Sequence, residues 1–320
     1  MSILPKFNQF LQFSLISKPG LLSSTYGLPL LDVQTLSDTN EEPNLELGWN
    51  QFLSMDDEAQ KLFESSGFRL GILAESIFEN WLMENKIDYR RGLQIFETEP
   101  VRRTLGELDF LYYQNKHWSH FELAAKIYCF RPQYNDYIGP NKRDFFHRKL
   151  DSLQNKQLPL ISNPSTEKIL KNQGIENIGK SRVHFCGRLF YPPGQWNIPN
   201  YVNCEHAKGI YYENNLPIHN YQNHQSLILL PRYFWFLPDI NLTELSALKF
   251  TKDKFARIQW ADMSKKEDIY ELEQVLEYYT KLGQTTMLAL LEYFLSALNL
   301  ILGILTSYLC IRIKRSPAED

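Results

Sequence analysis

Charged side chains interrupt two stretches of the sequence that otherwise have the composition of buried strands. The stretches, TLGELDFLYY and WSHFELAAKIYC, lie within residues 104–129 and are joined by QNKH. Because alternate residues of a strand share a face, Glu107 and Asp109 point to one side of the first strand, and Glu122 and Lys126 to one side of the second. Carboxylates grouped with an amine are the residue types that bind a divalent cation and a phosphate. These strands are therefore the first candidate for a functional site.

The short connection between the strands decides how their carboxylates face each other. With Asn115 and Lys116 as a two-residue hairpin turn, the register places Asp109 directly opposite Glu122. Directly opposed residues have Cβ atoms about 4.5–5.5 Å apart, and like charges there repel each other. A cation between them would remove that repulsion, and Mg²⁺ typically binds one or two carboxylates together with water and phosphate oxygens. The pair predicts a phosphodiesterase site, in which Lys126 positions water or stabilises charge on the phosphate.

A hairpin with one solvated face is the alternative interpretation of the same residues, because such faces also carry charged side chains. The opposite face of the first strand is apolar, with Leu108, Phe110 and Tyr112, and helices are predicted on either side of the hairpin. These neighbours favour a covered face. His117 and His120 form an H-x-x-H pattern, but in a strand they point to opposite faces, so they are not predicted to share a metal ion.

The composition is that of an ordinary globular protein. Of the 320 residues, 43% are hydrophobic and 22% are charged, which excludes a disordered chain. The net charge of −3 provides no overall attraction to nucleic acid, so a nucleic-acid contact would need a local basic patch. The four cysteines are far apart, which predicts reduced thiols, and no secretion signal is evident at the N-terminus; both features predict a cytoplasmic protein.

Hydrophobic spacing around the hairpin predicts the order helix, three strands, helix, strand between residues 58 and 192. The first helix has an apolar face at three- and four-residue spacing, formed by Leu70, Leu73, Ala74, Ile77, Phe78 and Trp81. The second helix is predicted over 139–158 with Asn141 as its N-cap, and a loop with Pro159 and Pro164 follows it. The remaining predicted elements are strands at 90–97 and 181–192.

The C-terminal part of the chain predicts a β-rich region that includes 226–240, then a helix over 266–282. Residues 293–311 contain no charge and are followed by a basic cluster at 312–315. Nineteen such residues are just long enough to span a bilayer, so a transmembrane helix and a helix buried against the main domain both remain open.

Several stretches of the chain resemble a bacterial family catalogued as domain of unknown function 1853 (DUF1853). They are LGILAESIFENWL (70–82), TLGELDFL (104–111), HFELAAKIY (120–128), YIGPNKRDFFHRKLDSLQNKQLPL (137–160), GRLFYP (187–192) and PRYFWFLP (231–238). The predicted α-β-β-β-α-β order, with an acid on the helix, Asp on one strand and Glu with Lys on the next, is also similar to the PD-(D/E)XK nuclease superfamily. That resemblance implies a restriction-endonuclease-like α/β core.

The nuclease resemblance implies a role for each acidic residue. Asp109 and Glu122 would bind Mg²⁺ or Mn²⁺, Glu75 would help to hold the cation and its water, and Lys126 would be the catalytic lysine. The lysine usually stands two positions after the acid, where this chain has Ala124, so Lys126 is displaced by about 6–7 Å along the strand.

The helix predicted over 139–158 is rich in basic residues, with Lys142, Arg143, His147, Arg148, Lys149 and Lys156. One interpretation is a phosphate-binding face beside the site, and the other is an ordinary solvated helix. The nuclease resemblance draws attention to Lys149 and Gln157, because a polar residue on this helix often completes the site in that superfamily.

Together these features predict an irregular N-terminal arm (1–55), a PD-(D/E)XK-like core (56–195), a β-rich extension (196–284) and an apolar C-terminal helix (285–320). The predicted function is metal-dependent hydrolysis of phosphodiester bonds in nucleic acid. The alternative is a catalytically inactive nuclease-fold scaffold that binds nucleic acid or protein. A membrane-associated assembly factor is a third reading, and it depends on 293–311 spanning a bilayer.

Overall fold

The computed structural model describes most of the chain up to residue 212 and several strands beyond it. The described residues are 7–36 (except 18), 59–97 (except 60, 63 and 68), 102–139, 142–212 (except 193 and 197), 225–231, 235–236, 259–262, 288–291 and 309–315. Within them the protein is a mixed α/β structure built on one sheet of ten strands, in the order β1-β2-β3-β5-β6-β9-β10-β7-β8, with β4 paired to β3.

The strands are β1 (Asp88–Glu97), β2 (Arg103–Gln114), β3 (His117–Arg131), β4 (Asp136–Ile138), β5 (Arg182–Tyr191), β6 (Lys208–Tyr212), β7 (Gln225–Pro231), β8 (Gln259–Asp262), β9 (Leu288–Leu291) and β10 (Leu309–Arg315). The α-helices described here are α1 (Phe7–Gln12), α2 (Leu70–Glu84), α3 (Phe146–Ser152) and α4 (Pro164–Asn172). After α3 the chain continues as a π-helical turn, Leu153–Gln157, and a 3₁₀ turn, Leu158–Ser162.

The predicted order of helix, three strands, helix and strand is present, with three differences, of which the first is the short strand β4 between β3 and α3. Helix α3 begins at Phe146, later than the predicted start, and Asn141, the predicted N-cap, lies outside the described residues. The loop predicted around Pro164 contains helix α4 instead. Pro164 is its first residue, where a missing N–H costs nothing, and the Asn163 side chain caps the helix by accepting a hydrogen bond from the Ser165 amide.

The β2–β3 hairpin has the predicted turn. Asn115 and Lys116 both have positive φ, 52° and 66°, the conformation of a type I′ turn, whose twist matches that of the flanking strands. Gln114 pairs with His117, which is the register predicted for a two-residue turn.

The two central strands separate at the predicted carboxylate pair. The β2–β3 ladder runs as far as Phe110 opposite Phe121, so Asp109 and Glu122 are the next positions in register. Beyond that point β2 pairs with β1, and β3 pairs in parallel with β5. Within the described residues, no backbone ladder joins β2 to β3 here. The result is an opening between the strands, bordered by Asp109 and Glu122.

Helices cover the two faces of the sheet around this opening. On one face the Phe78 ring of α2 lies 5.7 Å from that of Phe110 and 5.0 Å from that of Phe121. On the other face Phe146 of α3 packs on Tyr128 of β3 and Phe185 of β5, with ring centroids 5.4 and 5.1 Å away. The predicted apolar face of α2 is buried, except that Trp81 is partly exposed and Leu82 is buried instead. Both faces of the predicted hairpin are therefore covered.

Within the predicted N-terminal arm, which contains helix α1 and is therefore not wholly irregular, residues 20–31 lie along the edge of β5. The Leu21 amide donates to the Phe185 carbonyl at 2.7 Å, and the Leu31 amide donates to that of Val183 at 2.8 Å. Gly20 is required for this approach, because a Cβ there would lie 2.9 Å from the Phe185 oxygen. The arm thus extends the hydrogen bonding of the sheet where β6 does not reach.

Strands β6 to β10 continue the same sheet, and β6, β7 and β8 lie within the predicted β-rich region, 196–284. The helix predicted over 266–282 and the middle of the predicted C-terminal helix, 292–308, lie outside the described residues. On either side of that gap, Leu288–Leu291 and Leu309–Arg315 are strands rather than helix. Among the helices that the structure describes, none has the length and apolar character needed to cross a bilayer.

Candidate functional site

Asp109 occupies the point where β2 leaves β3. Its Oδ2 accepts a hydrogen bond of 2.9 Å from the Leu123 amide of β3. This bond replaces the backbone hydrogen bonds between β2 and β3, which end at the neighbouring pair Phe110 and Phe121. Gly92, which stands opposite Asp109 in the register of β1, has a φ of +65° that a side chain would strain. The strand separation makes room for the mostly buried Asp109 side chain, whereas a Cβ at Gly92 would lie 3.4 Å from the Glu107 carboxylate.

Glu122 is fully buried and is held at both oxygens. Oε2 accepts from Gln157 Nε2 at 2.6 Å, and Oε1 lies 3.0 Å from His120 Nε2. Gln157 reaches the site because the segment after α3 runs over the opening. Gly106 permits that close approach, since a Cβ there would lie 2.8 Å from a methyl of Leu160.

Lys149 of α3 is the cation next to the carboxylates. Its Nζ donates to Gln157 Oε1 at 2.7 Å, and Gln157 in turn donates to Glu122. Burial lowers the pKa of the Lys149 amine, while the charges of Asp109 and Glu122 act in the opposite direction. Because Lys149 is mostly buried and the other basic residues of this helix are exposed, its charge is directed at the carboxylate site rather than at solvent.

Burial also determines the protonation of the two acids. Removal from water and the nearby Glu122 raise the pKa of Asp109 to about 8, despite the Leu123 hydrogen bond and Lys149. Burial raises the pKa of Glu122 to about 7, with Lys149 opposing the shift. Without another cation, the pair therefore retains protons near neutral pH. A divalent cation would displace these protons, because the two ionised carboxylates carry two negative charges and Lys149 can balance only one of them.

Glu75 lies on α2 close enough for its charge to contribute to the raised pKa of Asp109. Its carboxylate is engaged by Arg91 of β1, at 3.1 Å, and the same guanidinium binds Glu79 at 2.5 Å. Glu75 is thus placed at the edge of the site and held by an ion pair. Glu107, suggested by the strand pattern, is exposed and accepts a hydrogen bond from Gln94 at 3.1 Å.

Lys126 points to a different partner from the carboxylate pair. Its Nζ lies 2.6 Å from Asp144 Oδ2, and Asp144 Oδ1 accepts from the Tyr128 hydroxyl at 3.0 Å. The side chains of Lys126 and Asp144 are each about one third exposed, at 32% and 33%. The structure therefore connects Lys149, not Lys126, to Glu122 by hydrogen bonds. A catalytic role for Lys126 stays a prediction.

His120 belongs to the site although its pattern with His117 suggested nothing. The signal that identifies it is its place two residues before Glu122, which puts both side chains on one face of β3. Its ring is fully buried and contacts Glu122 and, through Nδ1, the Ser181 hydroxyl at 2.8 Å. Burial lowers the pKa of His120 to about 4, so the ring is neutral. His117, by contrast, is exposed at the hairpin end.

The donor set suits a hard cation. Among the described residues, no group of three or more His, Cys, Asp and Glu side chains is arranged to hold a metal ion. A cation here would be bound by the two carboxylates, with water or substrate oxygens as its other ligands. That is the coordination Mg²⁺ usually has in proteins, whereas Zn²⁺ sites need three or four protein ligands.

Comparison with known proteins identifies the family. Neither a curated protein nor a solved structure matched the sequence. The family model described as a domain of unknown function, DUF1853, matches residues 11–277, a range that contains most of the arm, both helices around the opening and every residue of the carboxylate site. The chain belongs to the DUF1853 family.

Proposed function

We propose that this protein is a metal-dependent nuclease with a PD-(D/E)XK-like core, in which Asp109 and Glu122 hold Mg²⁺ or Mn²⁺. The observation that carries the proposal is the separation of β2 from β3, which brings two mostly buried carboxylates together with Lys149 and Gln157. A purely structural sheet gains nothing from burying acids in this way, since burying charge without full compensation is costly.

Each side chain has a function in phosphodiester hydrolysis. A divalent cation at the carboxylates would supply a Lewis acid for the phosphate and lower the pKa of a bound water. The Leu123 amide fixes Asp109, and Gln157 fixes Glu122 and Lys149 relative to each other. The Lys149 ammonium is positioned to stabilise negative charge that develops on the phosphate. Arg91 binds Glu79 as well as Glu75, so its positive charge is divided between two carboxylates. Glu75 would therefore be able to accept a proton or orient a water molecule.

Lys149 rather than Lys126 is proposed as the catalytic lysine. Lys126 is neutralised by Asp144 at 2.6 Å, and the position nearer to Glu122 on the same strand face is the buried Ala124. Lys149 comes from α3 instead of β3, but it approaches the same carboxylates. The absence of a lysine at position 124 is therefore compatible with catalysis, because Lys149 would take its role.

The proposed substrate is a nucleic acid because cations are grouped on the helix that bears Lys149 and on the segment that leads into it. Lys142, Arg143 and Arg148 are exposed near the start of α3, and such residues bind phosphates without reading sequence. This is the local basic patch that a chain with a net charge of −3 requires for that binding.

Isothermal titration of Mn²⁺ and cleavage of end-labelled DNA and RNA, single- and double-stranded, test the proposal. Asp109→Ala and Glu122→Ala should abolish Mn²⁺ binding and cleavage. Lys149→Met should retain Mn²⁺ binding but reduce the cleavage rate by about 10²–10³-fold, and Lys126→Met should have a smaller effect. Glu107→Gln is the matched control, because it removes an exposed acid from the same strand face.

Two results would overturn the nuclease. One is the absence of Mn²⁺ binding by the unsubstituted protein, both alone and with an oligonucleotide present. The other is cleavage that persists in Asp109→Ala. Binding of nucleic acid without turnover, unaffected by Asp109→Ala, would favour the scaffold instead, to which the Lys126–Asp144 ion pair gives some support.

A further inference from the structure

A hydrogen-bonded chain of three side chains connects Glu122 to the start of β5. His120 Nε2 lies 3.0 Å from Glu122 Oε1, and His120 Nδ1 lies 2.8 Å from Ser181 Oγ. The His120 and Glu122 side chains are fully buried, whereas Ser181 is partly exposed. The register explains the contact: Phe121 pairs with Arg182, so the residues just before them, His120 and Ser181, are also neighbours.

The chemistry of the chain determines which atom carries each hydrogen. When Glu122 ionises to bind a cation, its carboxylate only accepts hydrogen bonds, so a neutral His120 must then carry its hydrogen on Nε2. Nδ1 is then an acceptor, and the Ser181 hydroxyl must donate to it. Ser181 therefore selects the His120 tautomer that presents an N–H to Glu122. Residues that hydrogen-bond to metal ligands commonly fix the orientation of those ligands in this way.

Glu122 is consequently gripped by two neutral donors, His120 at Oε1 and Gln157 at Oε2. Because both donors are uncharged, neither neutralises the negative charge that a cation would bind. A carboxylate oxygen accepts about two hydrogen bonds, and each oxygen of Glu122 receives one from this pair of donors. The carboxylate is thus held in one orientation while it retains the capacity to bind a cation.

We infer that His120 is a positioning residue, held in the required tautomer by Ser181, which fixes the orientation of Glu122 for binding a divalent cation. This inference rests on the proposed metal site. A merely structural role would require only that the buried polar groups be satisfied, and it predicts changes in stability without a specific change in metal affinity.

Paired substitutions separate the two roles. His120→Leu removes the donor, whereas His120→Gln retains an N–H for Glu122 and an oxygen for Ser181. Ser181→Ala removes the hydroxyl, and Ser181→Thr retains it. Mn²⁺ affinity is measured by isothermal titration without nucleic acid, and thermal unfolding with EDTA confirms that each variant is folded.

We expect His120→Leu to weaken Mn²⁺ binding by about 10–100-fold, the usual effect of losing such a partner, and His120→Gln to restore most of it. Ser181→Ala should cause a smaller loss of about threefold to tenfold, because the ring can still adopt the correct tautomer part of the time. Ser181→Thr should bind Mn²⁺ like the unsubstituted protein.

Folded His120→Leu and Ser181→Ala variants that bind Mn²⁺ with unchanged affinity would overturn the inference but leave the metal site intact. If His120→Leu does not fold, the Ser181 pair decides, since it changes one partly exposed hydroxyl. If the unsubstituted protein does not bind Mn²⁺ either alone or with an oligonucleotide present, the metal site is wrong and the inference fails with it.

Discussion

Replacing Asp109 by Asn should make the metal-free protein more stable at alkaline pH, although it removes a residue of the proposed site. The amide has nearly the same shape and still offers an oxygen to the Leu123 N–H, but it has no charge to bury. The pKa of Asp109 is raised from 3.8 to about 8 in the folded chain. Between these values the folded state binds more protons than the unfolded state, so stability falls as pH rises.

The magnitude follows from the same two values. A difference of one in pKa between the folded and unfolded chain is worth about 1.4 kcal/mol. Between about pH 5 and pH 8 the unsubstituted protein should therefore lose at most about 4 kcal/mol relative to Asp109→Asn. We expect a measured loss of about 2–4 kcal/mol, because a buried site relaxes and admits water when it ionises. Above about pH 8 the difference should become constant.

Urea unfolding in EDTA at several pH values measures this difference directly. Glu107→Gln is the control, since it removes an exposed carboxylate from the same strand face and leaves Asp109 in place, so most of the loss of stability at alkaline pH should persist. Adding Mn²⁺ should stabilise the unsubstituted protein and not Asp109→Asn, which would reverse their order at alkaline pH. Stability curves of equal slope for the unsubstituted protein and Asp109→Asn would refute the argument that burial and Glu122 oppose ionisation of Asp109.

Other predictions concern the elements that support the site. Gly187→Ala should prevent folding or cost more than about 3 kcal/mol, because φ is +130° and a Cβ would lie 1.8 Å from the Lys126 carbonyl oxygen; yield and circular dichroism report this. Lys116→Gly should raise the free energy of unfolding by about 0.5–1 kcal/mol, since the type I′ turn requires positive φ there, and urea unfolding measures the gain. Asn163→Ala should cost about 1 kcal/mol in the same assay, as it removes the cap on the Ser165 amide.

The hairpin could be predicted because its determinants are local. A two-residue turn and strict alternation fix the register over a few residues, and the opposed Asp109 and Glu122 follow from it. The separation of the strands at that pair could not be predicted. It depends on β1 and β5 taking up the outer edges of β2 and β3, and those pairings join distant parts of the sequence.

The residues around Glu122 show the same limit. Lys149 and Gln157 were suggested by resemblance, yet their hydrogen bonds depend on how far the turn after α3 crosses the opening. The H-x-x-H pattern gives no reason to place His120 in the site, whereas its position two residues before Glu122 does. Its second partner, Ser181, is 61 residues away in sequence, and nothing in the local pattern of either residue indicates that contact.

The N-terminal arm has a consequence for synthesis of the protein. Leu31 binds Val183, roughly 150 residues later, and a ribosome adding about 5–20 residues per second needs on the order of 10–30 s to make that length. Until then the arm has no strand to join, and His120 lacks its partner Ser181, which precedes β5. A nascent chain therefore carries no assembled carboxylate site until β5 has been synthesised.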